Sequence, residues 1–486
     1  MSSAAIARQM EFARIHPRRR AVPRFGTDVR RWLLPMLLIS APPALAQLPP
    51  VPVPPENPIT EPKRVLGKIL FWDEQLSSDN TVACGTCHLP EFGGTDPRLG
   101  RHPGADGAFN SADDVLASPG VARADAGGEY YADPIFGWDL QVTDRSAPRT
   151  IGAMYAPELF WDGRASSTFI DPQTQTVSIA NGGALESQAV GPPLSDVEMA
   201  HEDRDWIQIA NKLSASAPLR LVADIPPDVA AVLAGDPTYP DLFAAAFGDG
   251  GITAERIAFA LATYQRTLVP DQTPWDAFVG GNPNALTPGQ RAGWDFFRTS
   301  QCTICHAPPL FTDNSFRNIG LRPVAEDTGR EQVTGNPADR GRFRVPSLRN
   351  SGLKTSFMHN GRLLSMAEVI DFYIPANGQV QFPQNQDPLV PPINIPPPVV
   401  PGLIDFLVNG LTDARVAAGT FPFDRPTLYS ERLQIYFDFE DCFAGPGAAP
   451  NPAAPLTVAQ CLAAYDQDTD GDVDMHDYAA LQQQLP

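Results

Sequence analysis

ACGTCH (residues 83–88) and QCTICH (residues 301–306) are two copies of one pattern, Cys-x-x-Cys-His, set 218 residues apart. In this pattern the two thiols add to the vinyl groups of a haem and the adjacent histidine ligates its iron. The competing reading is a single zinc site built from both cysteine pairs. Paired zinc knuckles lie about 15–20 residues apart, and here each pair carries its own histidine. Two covalently bound haem c groups are therefore expected. Cys84, Cys87 and His88 hold the first, and Cys302, Cys305 and His306 hold the second.

The rest of the chain fits around these two centres. Its 486 residues suffice for two or three domains. Residues 1–46 are expected to be a signal peptide. They hold eight arginines and two acids, then an apolar run ending in Ala44-Leu45-Ala46, an A-x-A cleavage pattern. Cleavage after Ala46 takes the formal charge from −20 to −26. So acidic a protein is a poor nucleic-acid binder and suits a basic docking partner. No later run is long and apolar enough to span a membrane. A periplasmic, secreted or cell-surface location follows. Of the six cysteines, Cys442 and Cys461 lie outside the haem motifs, and a disulfide between them is expected in an oxidising compartment.

The pattern along the chain predicts a mainly α fold: two cytochrome-c-like haem domains with long loops, plus a small C-terminal EF-hand-type module. Residues 47–62 read as a proline-rich linker, 63–250 as the first haem domain, 251–436 as the second and 437–486 as the tail. Residues 96–145 are rich in Gly, Asp and Pro and read as loop. TAERIAFALATYQRTLV (253–269) reads as an amphipathic helix. Thr287-Pro288-Gly289-Gln290 and Ser365-Met366-Ala367-Glu368 are capping boxes that open helices. In the second helix Met366, Val369, Ile370 and Tyr373 fall at i, i+3, i+4 and i+7, which puts Tyr373 on the buried face. LIDFLVNGLTD (403–413) reads as a late helix.

Several stretches resemble one family. LGKILFWDEQLSSDNTVACGTCH, DRSAPRTIGAMYAPELFWDGRAS, the pair Gln188/Glu198 in ESQAVGPPLSDVEM, and GRFRVPSLRNSGLKTSFMHNGRLLSMAEVIDFY look like the bacterial di-haem cytochrome c peroxidases, which include the MauG-like enzymes. The resemblance covers roughly residues 60–435, in the family's order. It implies that the His88 haem is the peroxide site, with Glu198 as distal acid/base and Gln188 positioning the peroxide. Trp161 matches the tryptophan between the haems. On the second haem, His306 is the proximal ligand. Counting fourteen residues from His359 places Tyr373 at the sixth position, as in MauG-like enzymes, with Met358 or Met366 as the alternatives.

The resemblance implies an exported peroxidase that takes electrons from a small, basic donor such as a cytochrome c or a cupredoxin. The alternatives are a MauG-like oxidase of a protein or organic substrate and a non-catalytic electron carrier. Three departures stand out. An insertion of nearly twenty residues lies between Trp161 and Gln188. Ser146 stands where the family has an asparagine ligand to an inter-haem calcium, and Lys354 stands where it has a threonine. The last two weaken the case for that calcium. His102 and His201 are secondary candidates near the first pocket. In the tail, Asp466, Asp468, Asp470, Asp474 and Asp477 occupy positions 1, 3, 5, 9 and 12 of an EF-hand-type loop, with Gly471 at 6 and Asp472 at 7. A dockerin-like, calcium-binding attachment module with its own partner is expected there.

Overall fold

The computed structural model describes residues 47–374, 381–390, 392–432, 442–450, 457–474 and 477. The expected signal peptide lies outside the described residues. The architecture is mainly helical, with four small two-stranded sheets.

The first core forms where α1 (Glu61–Trp72) crosses a long helix, Ala254–Gln265. Leu66, Ile69 and Leu70 are fully buried on α1. A side chain at Gly67 would place its Cβ 1.9 Å from the Ala260 carbonyl oxygen, so glycine sets this close crossing. Lys68 is also buried, and its ammonium bridges Asp228 at 3.0 Å and Asp424 at 2.9 Å. Buried charges persist in pairs of this kind, because an unpaired one costs several kcal/mol, on the order of 3–5.

Helix Ala254–Gln265 lies in the first core, as do Val416, Phe423 and Leu428 from much later in the chain. A break at 250/251 would cut that core. The second core instead gathers from Trp275 onward, with Phe297, Phe311, Leu403 and Phe406 at its centre. Residues 47–60 form neither helix nor strand, and Asn57 ties them to the body. Asn57 is fully buried, donates to Glu186 at 2.8 Å and accepts from Lys63 at 2.8 Å.

The expected helices form where their caps predict. Thr287 and Gln290 close a reciprocal capping box on helix Pro288–Thr299. Ser365 caps helix Met366–Tyr373, while Glu368 reaches back to the Leu364 amide. LIDFLVNGLTD continues helix Val400–Asp405 into a π-helical turn, Phe406–Gly410. Residues 96–145 are mostly loop, as expected, with two short strand pairs set into it. There β1 (Gly100–His102) pairs with β2 (Val115–Ala117), and β3 (Pro119–Ala122) with β4 (Leu140–Val142). These strands are three or four residues long, too short for alternation to register in the sequence. The insertion after Trp161 forms another hairpin, β5 (Phe169–Ile170) with β6 (Val177–Ile179). Its Gln173 side chain accepts from the Ala254 amide and so caps the long helix of the first core.

Candidate active site

Each Cys-x-x-Cys-His motif forms a single helical turn, Cys84–Cys87 and Cys302–Cys305, with the histidine at its C-cap. All four cysteines are free. Each histidine is oriented in the same way. His88 donates from Nδ1 to the Gly94 carbonyl at 3.1 Å, and His306 donates from Nδ1 to the Phe311 carbonyl at 3.1 Å. That bond fixes the tautomer and leaves Nε2 as the free ligand nitrogen. Burial pushes the Cys84 thiol up to about 12, so it is held as a neutral thiol. Paired free thiols beside an oriented imidazole, all on the wall of a cavity, fit a covalently attached haem at each motif.

The first cavity has a volume of about 730 Å³. Cys84, Cys87 and His88 form part of its wall, and Gln188, Glu198 and Trp161 form another part. Gln188 sits on helix Ala184–Ala189, which Glu186 anchors. That carboxylate is fully buried and held by Arg266 at 2.6 Å. Glu198 is placed by the β3/β4 hairpin. The Val121 amide donates to the Val197 carbonyl at 3.2 Å, and the Gln141 side chain donates to the Asp196 carbonyl at 2.7 Å. Gly120 permits this contact, because a Cβ there would lie 1.9 Å from the Val197 oxygen. The Glu198 carboxylate has no hydrogen-bond partner among the described residues. Burial raises its pKa above the ordinary value, Arg164 opposes that rise and Asp144 adds to it.

The second cavity measures about 200 Å³. Cys302, Cys305 and His306 line it, and so do Tyr373, Met358 and Met366. All three candidates for a sixth ligand therefore face the same space. Tyr373 is half-buried and closes the C-terminal end of its helix, and burial raises its phenol well above the usual value.

Trp161 lines both cavities. It is 8% exposed, and its indole N–H donates to the Ser146 carbonyl at 2.8 Å. The His359 ring lies 6.3 Å away and stacks on Phe343 at 3.6 Å. Ser146 is engaged throughout. Its amide donates to the His359 carbonyl at 2.8 Å, and its hydroxyl to the Met358 carbonyl at 2.7 Å. Nearby, Arg145 bridges Asp162 at 2.6 Å and Asp327 at 2.7 Å, tying the Trp161 segment to the second half of the chain.

His102 lines the first cavity, but its Nδ1 accepts from the Gly104 amide at 3.1 Å. His201 is not part of that wall; its Nδ1 donates to the Glu202 carbonyl at 2.7 Å. Sequence reading missed Arg164, Asp144, Arg149 and Arg344. They lie far from the motif cysteines in sequence, and no spacing marks them.

In the tail, Cys442 and Cys461 form the expected disulfide. Asp466, Asp468 and Asp470 form one carboxylate cluster, and Asp472, Asp474 and Asp477 a second. Gly471 takes φ 93°, the left-handed turn that such a loop requires at this place. Among the described residues no other grouping of metal-ligating side chains occurs.

Two haem-binding motifs on separate cavities, with one tryptophan on both walls, define a di-haem oxidoreductase. The family described as di-haem cytochrome c peroxidase matches residues 61–284. The methylamine utilization protein MauG of Methylophilus methylotrophus is 30% identical over 332 residues, which cover 66% of this chain and 75% of that protein. The cytochrome-c peroxidase IdrP1 of Pseudomonas sp. (strain SCT) is 29% identical over 369 residues, 69% of this chain and 78% of that one. The chain belongs to the di-haem cytochrome c peroxidase family, and membership implies two covalently bound haem c groups. Two solved structures share the fold. A MauG-like protein associated with microbial copper homeostasis matches with a TM-score of 0.54 at 24% identity, over 83% of this chain and 99% of that one. The diheme peroxidase BthA from Burkholderia thailandensis E264 matches with a TM-score of 0.51 at 22% identity, over 76% and 91%. Among the described residues no helix is long and apolar enough to cross a membrane.

Proposed function

We propose that the protein is an exported peroxidase that reduces hydrogen peroxide: one peroxide, two electrons and two protons give two waters. The observation that carries this reading is the half-buried, unpartnered carboxylate of Glu198 in the cavity walled by Cys84, Cys87 and His88. The haem iron, when bound, supplies the redox chemistry that breaks the O–O bond. Glu198 takes the proton from one peroxide oxygen and returns it to the leaving one. Its raised pKa brings it closer to working pH, where a general acid/base is most effective. Gln188, from the same wall, orients the peroxide. Trp161, which borders both cavities, would carry electrons between the two haems.

His88 and His306 would hold the two haem irons, and Tyr373 would close the second haem site. The donor is a small basic redox protein such as a cytochrome c or a cupredoxin, drawn to an acidic surface. The periplasm, the medium or the cell surface is the site of action. The tail carboxylates bind calcium and tether the enzyme to a partner. For the inter-haem calcium the support is poor, since the Ser146 carbonyl and hydroxyl are both engaged.

Tyr373 on the second cavity favours a second reading, a MauG-like oxidase that uses peroxide to oxidise a protein or organic substrate. A phenolate ligand stabilises ferric iron and lowers the potential, which disfavours electron uptake from a high-potential donor. Steady-state assay with hydrogen peroxide and reduced cytochrome c separates the two. Turnover supports the peroxidase, and its absence would sink that reading.

A further inference from the structure

The wall of the second cavity carries four cations and no carboxylate. One of them, Arg317, is neutralised by Asp387 at 3.0 Å and Asp313 at 3.4 Å. The other three, Arg149, Arg344 and Lys354, have no carboxylate partner among the described residues. Arg149 donates to the main-chain carbonyls of Ser347 and Arg349. Arg344 is 8% exposed, and among the described residues its guanidinium reaches only the Phe160 carbonyl at 3.5 Å and the Asn314 side chain at 3.4 Å. The Lys354 ammonium has no hydrogen-bond acceptor among the described residues. It lies 5.9 Å from the centre of the Phe357 ring.

Three unneutralised cations around one largely apolar cavity repel each other and resist burial. Burial, with Arg149 adding to it, lowers Lys354 to about 7, and burial lowers Arg149 to about 9. An apolar wall with a cationic patch calls for a ligand that is apolar over most of its surface and anionic at one edge. A haem, with two propionate carboxylates on one edge of its ring, has that shape.

We infer that Lys354, flanked by Arg149 and Arg344, is an anion clamp that receives the propionates of the haem held by Cys302, Cys305 and His306. Bound propionates would offset the cations' mutual repulsion and hold the haem on the wall that Trp161 shares. Its positive charge also favours the reduced haem, which carries one positive charge fewer at the iron. Lys354 is thus a positioning residue that tunes the potential of the second haem. The inference rests on the presence of two haems and not on peroxide turnover.

The test is spectroelectrochemical titration of the holoprotein and its variants at fixed pH. Lys354→Met removes the charge with little change in side-chain length. It should weaken reduction of one of the two haem couples about tenfold, a drop of about 59 mV for one electron. The other couple should stay put, and Lys354→Arg should hold both within about twofold. Unmoved couples in Lys354→Met would overturn the clamp. So would an equal shift in both couples, or the same loss in Lys354→Arg, which would point to packing. If Lys354→Met does not load its second haem, Arg344→Gln carries the same expected drop, and unmoved couples there would overturn the clamp too. Lost peroxidase activity with unshifted potentials in Glu198→Gln would bear on the proposed function and leave the clamp intact.

Discussion

The two haem motifs are built alike, yet the walls around them differ. Both fold as one helical turn, and both histidines donate from Nδ1 to a carbonyl at 3.1 Å. Around His88 lies a cavity of about 730 Å³ with Gln188 and a half-buried Glu198 in its wall. Around His306 lies about 200 Å³ bounded by Met366, Ile370, Tyr373 and Leu407, with cations and no carboxylate. An attachment motif therefore says that a haem is held and nothing about what it does. The wall decides that. A roomy cavity with a proton-carrying group suits chemistry on a small molecule, and a tight apolar one suits electron storage.

Glu198→Gln should break this contrast most sharply. Loss of a general acid/base costs about 10²–10⁴-fold in rate, so peroxide turnover should fall by that order while the spectrum of the His306 haem stays unchanged. A fall of less than about tenfold would remove Glu198 from the mechanism. The same variant should gain stability. A carboxyl raised on folding contributes stability below its unfolded value, near 4.5, and loses it as pH rises through the folded value. At neutral pH wild type pays that cost and the glutamine does not, so Glu198→Gln should melt higher at pH 7. The advantage should vanish below about pH 4.

Tyr373→Phe tests the other cavity. A changed spectrum for the second haem alone, with a raised potential, is expected on losing a phenolate. An unchanged spectrum would hand the position to Met358 or Met366, which share the wall. Gly120→Ala tests how the first wall is held. Its Cβ would meet the Val197 oxygen at 1.9 Å, so the loop carrying Glu198 must shift. Overpacking of this kind costs about 1–3 kcal/mol. Thermal melting should show that loss, and turnover should fall by less than in Glu198→Gln.

What was legible in the sequence follows the same divide. Cys84-x-x-Cys87-His88 and its twin state their chemistry in five residues, and capping at Thr287 and Ser365 marks helix starts outright. The linkage of helix Ala254–Gln265 to the first core was not legible, because it depends on a glycine at position 67 meeting Ala260 across nearly 200 residues of chain. Nor was the hairpin that places Glu198, since strands of three or four residues carry no periodic signal. The cationic patch on the second cavity comes from residues 149, 344 and 354, which only the folded chain brings to one wall.

The smallest predicted effect concerns the charges that surround Glu198. Burial raises this carboxyl, and the Arg164 guanidinium pulls it back toward its ordinary value. Arg164 lies over the Phe160 ring at 3.6 Å and pairs with Asp162 at 3.1 Å, and nearly half of its side chain is exposed, so solvent weakens its influence. Asp144 acts in the opposite sense. If Glu198 must be ionised to accept the first proton, the acid limb of the pH profile of kcat/KM follows its pKa in the free enzyme. Arg164→Gln removes a cation that favours the ionised form, so the limb should move to higher pH. Asp144→Asn removes an anion that disfavours it, so the limb should move to lower pH. Opposite shifts from two surface-facing changes would tie the limb to this carboxylate, because a group in the second cavity has no reason to respond to either. Shifts of the same sign, or none, would mean that the limb reports another group.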